Sequence, residues 1–540
     1  MSDLFRMSGR GNLLNNSSFT LSLENKIDFL TLIIKKSFSY YFDFITVNNL
    51  FLILSVILSI YFAFKLFRIV ARGIAVALFL TILYSFSIYI LYRVISATQM
   101  LFFIFVFPAV LYLLLKNKKS FFIGLIVFVF SMISNYYGFF LFVLVCFWYF
   151  SDLILKKVFF KNFLKNIFLF SFSFSIPVAI FVGPLLYKNL PVFGKYEKSH
   201  GVEFIENDNN SVYRPINNWY AFSFRPWYFF IPPKSSVFFG EFSKNIHEKI
   251  KNTNYYLADD YMEEEMAGSY MGWHFLLGLG IVAIILLLKK YKRIEFKTFK
   301  TVYENKEMII RSFFIIFCIL LISGPPSFTI GGVEIYTPTY LLYYIVPVFR
   351  TLVRWAVVIY LFVLIINSFL VQDLYNLMKT KLQKILFILA FLTLNFVIFA
   401  IKIPVINVNK PPQEIAFVEE KYPESVPYAV YPKGDYYSIF WIISHEDLLI
   451  NPVNFVNYET GFDSNEFSKN LITEEGIQEF LKHNPKYLIY YPNNISDDDL
   501  EKISKINSTL KSKEDIYEFF KSKFGDGVVV GESVVFDIRD

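Results

Sequence analysis

Of the 540 residues only two are cysteine and five are histidine, and just 18% carry a charge. Cys146 and Cys318 lie in separate apolar runs, so neither a disulfide framework, a cysteine-based zinc site nor a c-type haem attachment can be built from them. The chain also lacks a P-loop, a dinucleotide-binding glycine fingerprint, HExxH and paired CxxC, and His445, Glu446 and Asp447 are without the second histidine a zincin needs. Nucleotide-driven chemistry on a soluble fold is thereby excluded, and no metal site can be named.

Apolar residues are plentiful instead. At 55% hydrophobic, 20% aromatic and a mean hydropathy of +0.46, the chain has more apolar surface than one water-soluble fold can bury. Its class is a polytopic helical membrane protein. The net charge of +7 is the sum of two unlike parts: residues 405–540 hold 13 Lys/Arg against 24 Asp/Glu, and residues 1–404 hold 39 against 21. A basic membrane body therefore precedes an acidic tail.

Hydropathy predicts about ten spans, near 48–67, 72–91, 98–115, 120–134, 136–154, 166–187, 269–288, 308–323, 351–371 and 384–403. Every odd-numbered connection is basic, including Lys65, Arg68 and Arg72, then Lys116, Lys118 and Lys119, and later the run from Lys289 to Lys300. By the positive-inside rule these are cytoplasmic, so the basic character is topological and gives nucleic acid no foothold. The turns around Arg93 and Asn135, the 188–268 loop, the 324–350 connection and the tail are then external. Three regions result: an external N-terminal segment over 1–46, a transmembrane domain over 47–404 with its large 188–268 loop, and an external α/β domain over 405–540. A polar N-terminus exported with no span before it leads to the expectation of one further helix upstream. Within the tail, strands are predicted at 428–431, 487–491, 528–530 and 534–538, and helices at 473–483, 497–507 and 512–523.

External arginines are what orientation leaves unexplained. Arg350 and Arg354, between Pro347 and Trp355, are four apart and share a helix face, so an anion should compensate them. A lipid phosphate or pyrophosphate suits the planar guanidinium fork, and snorkelling to headgroups or pairing with structural carboxylates is the competing reading. Arg225, set among Trp219, Trp227, Pro232 and Pro233, is a second candidate phosphate or sugar contact, and Arg93 a third. Tyr270 and His274 open the seventh span.

The order of these features resembles the GT-C superfamily of polytopic glycosyltransferases, which take a sugar from a polyprenyl-phosphate donor on the outer membrane face. The likeness runs over about residues 45–540. It rests on Arg93 to Gln99 with Pro108; Asn135, Tyr136, Tyr137 and Gly138; Arg225 and Pro226 to Pro232 with Phe239 and Gly240; Tyr270, Met271 and Gly272; Phe349, Arg350 and Arg354; and the strand at 487–491. The resemblance implies an acid in the first external loop, acting as base or as metal ligand. Only residues 1–46 can correspond to that loop, where Glu24, Asp28 and Asp43 are the candidate catalytic residues and Asp3 a further acid; Glu206 and Asp208 are fallbacks. It also implies a divalent cation as the one cofactor to consider. Arg350, Arg354, Arg225 and Arg93 would bind the donor phosphate, and Trp219, Trp227, Tyr270 and His274 would touch the sugar.

The expectation is a multi-pass membrane glycosyltransferase that uses a lipid-linked sugar donor and modifies a cell-surface glycan, lipid or protein. Two alternatives stay open: a non-catalytic GT-C-like scaffold binding membrane lipids and envelope-assembly proteins, and a transporter or flippase. A transporter would need mid-span charge or paired broken helices. The predicted span centres are almost free of charge.

Overall fold

The computed structural model describes residues 44–95, 101–196, 216–250, 263–292, 297–346, 351–402, 413–421, 426–432, 448–450, 456–457 and 462–538. They fall into two compact units that part between Ile403 and Pro404.

The first unit is helical. Its apolar stretches give α1 (Phe44–Val70), α2 (Ile74–Ser85), α3 (Ile88–Ile95), α4 (Val106–Leu115), α5 (Ser120–Ser131), α6 (Asn135–Ile154) and α7 (Phe160–Tyr196). Short helices α8 (Ile216–Ala221), α9 (Gly240–Ile250) and α10 (Glu263–Met266) follow in the loop region. The helical run resumes with α11 (Trp273–Lys292), α12 (Lys300–Glu304), α13 (Lys306–Ser323), α14 (Pro338–Ile345), α15 (Ala356–Leu377) and α16 (Lys381–Phe399). Strands β1 (Ser327–Ile330) and β2 (Val333–Tyr336) form a hairpin between α13 and α14.

Seven helical stretches are long and apolar enough to cross a membrane: Asn49–Val70, Ile74–Val94, Asn135–Ile154, Phe160–Ile180, Ala267–Tyr291, Leu352–Leu377 and Lys381–Phe399. α4 and α5 are shorter apolar helices, and α13 carries Lys306, Glu307 and Arg311 in its first two turns. Outward side chains such as Ile57, Phe168 and Phe396 are apolar and exposed, as a lipid-facing surface requires. α15 differs: every residue from Ala356 to Asp373 is buried. A helix apolar all round belongs at the centre of a bundle, and there it presents Arg354 at one end and Asp373 at the other.

Two features depart from simple spans. Ile74–Val94 is interrupted at Phe86 and Ser87, between α2 and α3. Residues 101–105, expected to be helical, form irregular buried backbone instead. Three of their carbonyls accept hydroxyls from three helices: Ser55 donates to Phe102, Tyr84 to Ile104 at 2.8 Å and Tyr137 to Leu101 at 2.7 Å, beside short-range backbone bonds such as Ile104 N–H to Phe102 O at 2.7 Å. Non-helical backbone is tolerated at membrane depth only where protein supplies such partners. At the far end of the bundle Asp373 accepts from the backbone of Thr301 (2.9 Å) and Val302 (3.1 Å), and Asp152 pairs with Arg311.

The second unit is a small α/β domain. Helices α17 (Gln413–Lys421), α18 (Ser464–Asn470), α19 (Glu474–Lys482), α20 (Asp497–Ile506) and α21 (Lys513–Phe524) accompany seven strands. These are β3 (Pro427–Tyr431), β4 (Leu448–Leu449), β5 (Val456–Asn457), β6 (Phe462–Asp463), β7 (Tyr487–Tyr490), β8 (Val528–Val530) and β9 (Ser533–Asp537). Five make one sheet in the order β4-β3-β7-β9-β8, parallel at β3/β7 and antiparallel at β7/β9 and β8/β9. β3 and β7 alternate between two buried faces, so Tyr428 and Val430 pack with Ile415 while Ala429 and Tyr431 pack with Phe520. Thr473 caps α19, accepting from the Gly476 N–H, and Ser496 caps α20 in a box with Asp499.

Candidate functional site: a buried arginine-glutamate-arginine cluster

The start of the central helix fixes the site. A single 3-10 turn over Leu352–Trp355 leads into α15, and the backbone N–H of Val353 donates to Phe222 O at 3.0 Å. Phe224 N–H donates to Ser323 O at 2.6 Å, which ties the 222–224 segment to the end of α13 as well. Into this corner Arg354 directs a guanidinium that is buried except for about a tenth of its surface.

Its partner is Glu265, on α10. Arg354 Nε donates to Oε2 at 3.0 Å and Nη2 to Oε1 at 2.6 Å, a bidentate fork. Arg93, at the end of α3 and fully buried, donates from Nη1 to the same Oε2 at 2.7 Å. One carboxylate thus joins two cations from segments 172 and 89 residues away in the chain. Aromatic faces complete the cluster: Tyr136 lies 4.6 Å from Arg354 Cζ and Tyr89 lies 5.3 Å from Arg93 Cζ. Tyr89 Oη is 3.2 Å from Tyr137 Oη, which connects the cluster to the irregular 101–105 backbone. A close approach allows this geometry, since a Cβ on Gly268 would stand 3.3 Å from Tyr89 Cα.

Electrostatics follow from the count of charges. Burial on its own would raise the Glu265 pKa, but Arg354 and Arg93 outweigh it and hold the carboxyl at about 2. Glu265 is therefore ionised, and the cluster keeps one positive charge in excess. Both carboxylate oxygens are taken by guanidinium groups, so Glu265 offers little as a metal ligand or as a general base. Arg354 Nη1, in contrast, makes no hydrogen bond to a described residue. Nearby donors are also without partners among the described residues: the indole N–H of Trp355, stacked 4.0 Å from Phe140, and that of Trp219, packed against Tyr343 and Leu352.

The residues singled out in the sequence separate into groups. Arg93 and Arg354 meet at Glu265, and Trp219 reaches the same corner through Leu352. Arg225 is buried and committed to its own turn, donating to Ser223 O (2.9 Å), Ser223 Oγ (2.6 Å) and Tyr220 O (2.7 Å). Trp227 is half-buried beside Tyr228. Tyr270 and His274 lie along the seam with α16, against Phe399 at 5.6 and 6.2 Å between ring centres. Arg350, Glu24, Asp28 and Asp43 lie outside the described residues, as do Asp3, Glu206 and Asp208. Sequence reasoning did not single out Glu265. Its one signal was position: it is the last acid of the 263–265 run, directly before an apolar span. Among the described residues, no three His, Cys, Asp or Glu side chains gather as a metal would need.

Fold and site together define a multi-helix membrane protein with a buried, net-cationic cluster at one end of its central helix. No protein-family model matches the chain, and no curated protein sequence is similar to it.

Proposed function

We propose that this chain is a GT-C-like membrane glycosyltransferase in which Arg354 and Arg93 stabilise the phosphate leaving group of a lipid-linked sugar. The observation that supports it is the convergence of both arginines on Glu265 with a positive charge left over and Arg354 Nη1 unused. The proposal takes ten crossings, adding α4, α5 and α13 to the seven long stretches. With the basic odd-numbered connections inside, Arg93, Glu265, Arg354 and the tail are all external.

In this reading the arginines act where charge develops. As the glycosidic bond to phosphate breaks, negative charge grows on the departing oxygen, and fixed guanidinium donors in a dry site offset it without reorganising. Glu265 is a positioning residue: it holds the two forks at a set spacing and limits their mutual repulsion. Its depressed pKa makes it a weak base, so deprotonating the acceptor falls to another carboxylate, for which Glu24, Asp28 and Asp43 remain the candidates. The unpartnered indoles of Trp219 and Trp355 offer N–H donors to an acceptor-rich ligand. The donor carries its own activation, which suits a chain without a nucleotide motif.

The test is transfer from a polyprenyl-phosphate sugar in proteoliposomes. Arg354→Ala should abolish it, and Arg354→Lys, which keeps charge but loses the fork, should lower the rate by about 10²-fold or more. Undiminished transfer in Arg354→Ala refutes the phosphate role. One observation favours the non-catalytic scaffold reading, namely that Glu265 already neutralises part of the cluster. A wild-type protein that binds polyprenyl phosphate through Arg354 and turns over no donor would establish it.

A further inference from the structure

The hairpin β1–β2 and helix α14 form a surface that the cluster does not use. From 318 to 349 the sequence has a single charged residue, Glu334. Pairing of Phe328 with Ile335 and of Ile330 with Val333 puts these four apolar side chains on one face of the hairpin. All four are open, from 41% exposed at Ile335 to 65% at Val333. The other face is polar and internally bonded: Glu334 accepts from Ser327 Oγ at 2.5 Å and from Tyr336 Oη at 3.0 Å. Leu341 and Ile345 on α14 add to the open apolar surface.

We infer that this hairpin and α14 seat in the lipid interface at the Arg354 end of the bundle, with the Phe328, Ile330, Val333 and Ile335 face toward the acyl chains. Continuity with the lipid-facing bundle selects lipid as the occupant. Thr339 Oγ1 donates to Leu321 O at 3.1 Å, and Thr337 donates to Pro325 O and Pro326 O at 2.7 and 2.9 Å, so α14 is fastened to the last turn of α13. On that turn Leu321 faces outward, as Phe317 does one turn earlier, so the apolar surface runs unbroken from span to hairpin. The aromatic row agrees. Tyr336, Tyr340 and Tyr344 follow one another at 4.4 and 5.0 Å between ring centres, and tyrosine prefers the headgroup level. A two-stranded ribbon has unpaired edges that the hydrocarbon core does not admit, which limits the depth to about 5–10 Å below the headgroups.

The experiment places single cysteines in full-length protein carrying Cys146→Ala and Cys318→Ala, reconstituted in phosphatidylethanolamine and phosphatidylglycerol vesicles. Ile330→Cys, Val333→Cys and, on the polar face, Thr329→Cys are labelled with an environment-sensitive fluorophore, and Ile57→Cys on α1 serves as the lipid-facing reference. All are exposed positions, so the fold is retained. Bromines placed high on the acyl chains should quench Ile330→Cys and Val333→Cys several-fold more than Thr329→Cys, and aqueous iodide should show the reverse order. Equal quenching on both faces overturns the inference. So does efficient disulfide cross-linking of Val333→Cys between two copies at high lipid dilution, which would make the face a protein interface.

Discussion

Glu265 carries more of the structure than any other single ionised side chain described, because two buried cations depend on it. Removing one partner from a buried ion cluster leaves charge uncompensated, a loss of about 3–5 kcal/mol. Glu265→Gln should therefore lower the thermal unfolding midpoint in detergent by far more than exposed-pair variants such as Lys505→Gln, which breaks an exposed pair with Glu501. The pH dependence has a definite sign. The folded pKa is depressed from 4.5 to about 2, so the stabilisation is complete above about 4.5 and is lost as pH falls toward 2. A midpoint titration over that window should slope in the wild type and be flatter in Glu265→Gln; identical slopes would count against the cluster as an ionised unit. At this scale the sequence was informative about need and silent about supply. Arg354 at a membrane mouth called for an anion, but its carboxylate is 89 residues away in the chain, a distance that neither hydropathy nor helical spacing encodes.

Elements follow their residue pattern closely where burial is one-sided and depart from it where tertiary partners replace the helical ladder. The seven long spans and the tail strands at 427–431, 487–490 and 528–537 follow from apolar runs and alternation. Residues 101–105 do not: apolar enough to read as helix, they are held in another form by hydroxyls of Ser55, Tyr84 and Tyr137. No local signal marks such a segment, since the hydroxyl donors that supplement its own backbone bonds come from three other helices. Each hydroxyl that is removed takes a buried hydrogen bond with it, although Ile104 O keeps a backbone donor in the Phe107 N–H at 3.3 Å. Tyr84→Phe and Tyr137→Phe should each destabilise by on the order of 1 kcal/mol, at the low end for buried polar groups because membrane references are milder. Hydrogen exchange over 101–107 should accelerate in both variants, and unchanged exchange would show that the segment is held by packing alone.

The whole molecule poses a question of parity that charge and helix length answer differently. With only the seven long stretches crossing, residues 44 and 402 would lie on opposite sides; with α4, α5 and α13 crossing too, they share a side. Ten and 12 helical residues in α4 and α5 span about 15 and 18 Å, short of a core of about 30 Å. Yet the basic residues recur at every second connection only if these helices count, and Lys116, Lys118 and Lys119 at the α4–α5 turn then lie with Lys65, Arg68 and Arg72. If α4 crosses, the irregular buried 101–105 stretch would lengthen its path without lengthening its helix. Ten crossings are what the proposal takes from the charge bias, and their sidedness is measurable. In cells with Cys146→Ala and Cys318→Ala protein, a membrane-impermeant maleimide should label Lys502→Cys in the tail and spare Lys119→Cys until the membrane is opened. Both positions are exposed, so access reports the side alone. Labelling of Lys119→Cys in intact cells would invert the sidedness and move the Arg354 cluster to the cytoplasmic face, where a lipid-linked donor exposed only outside could not reach it.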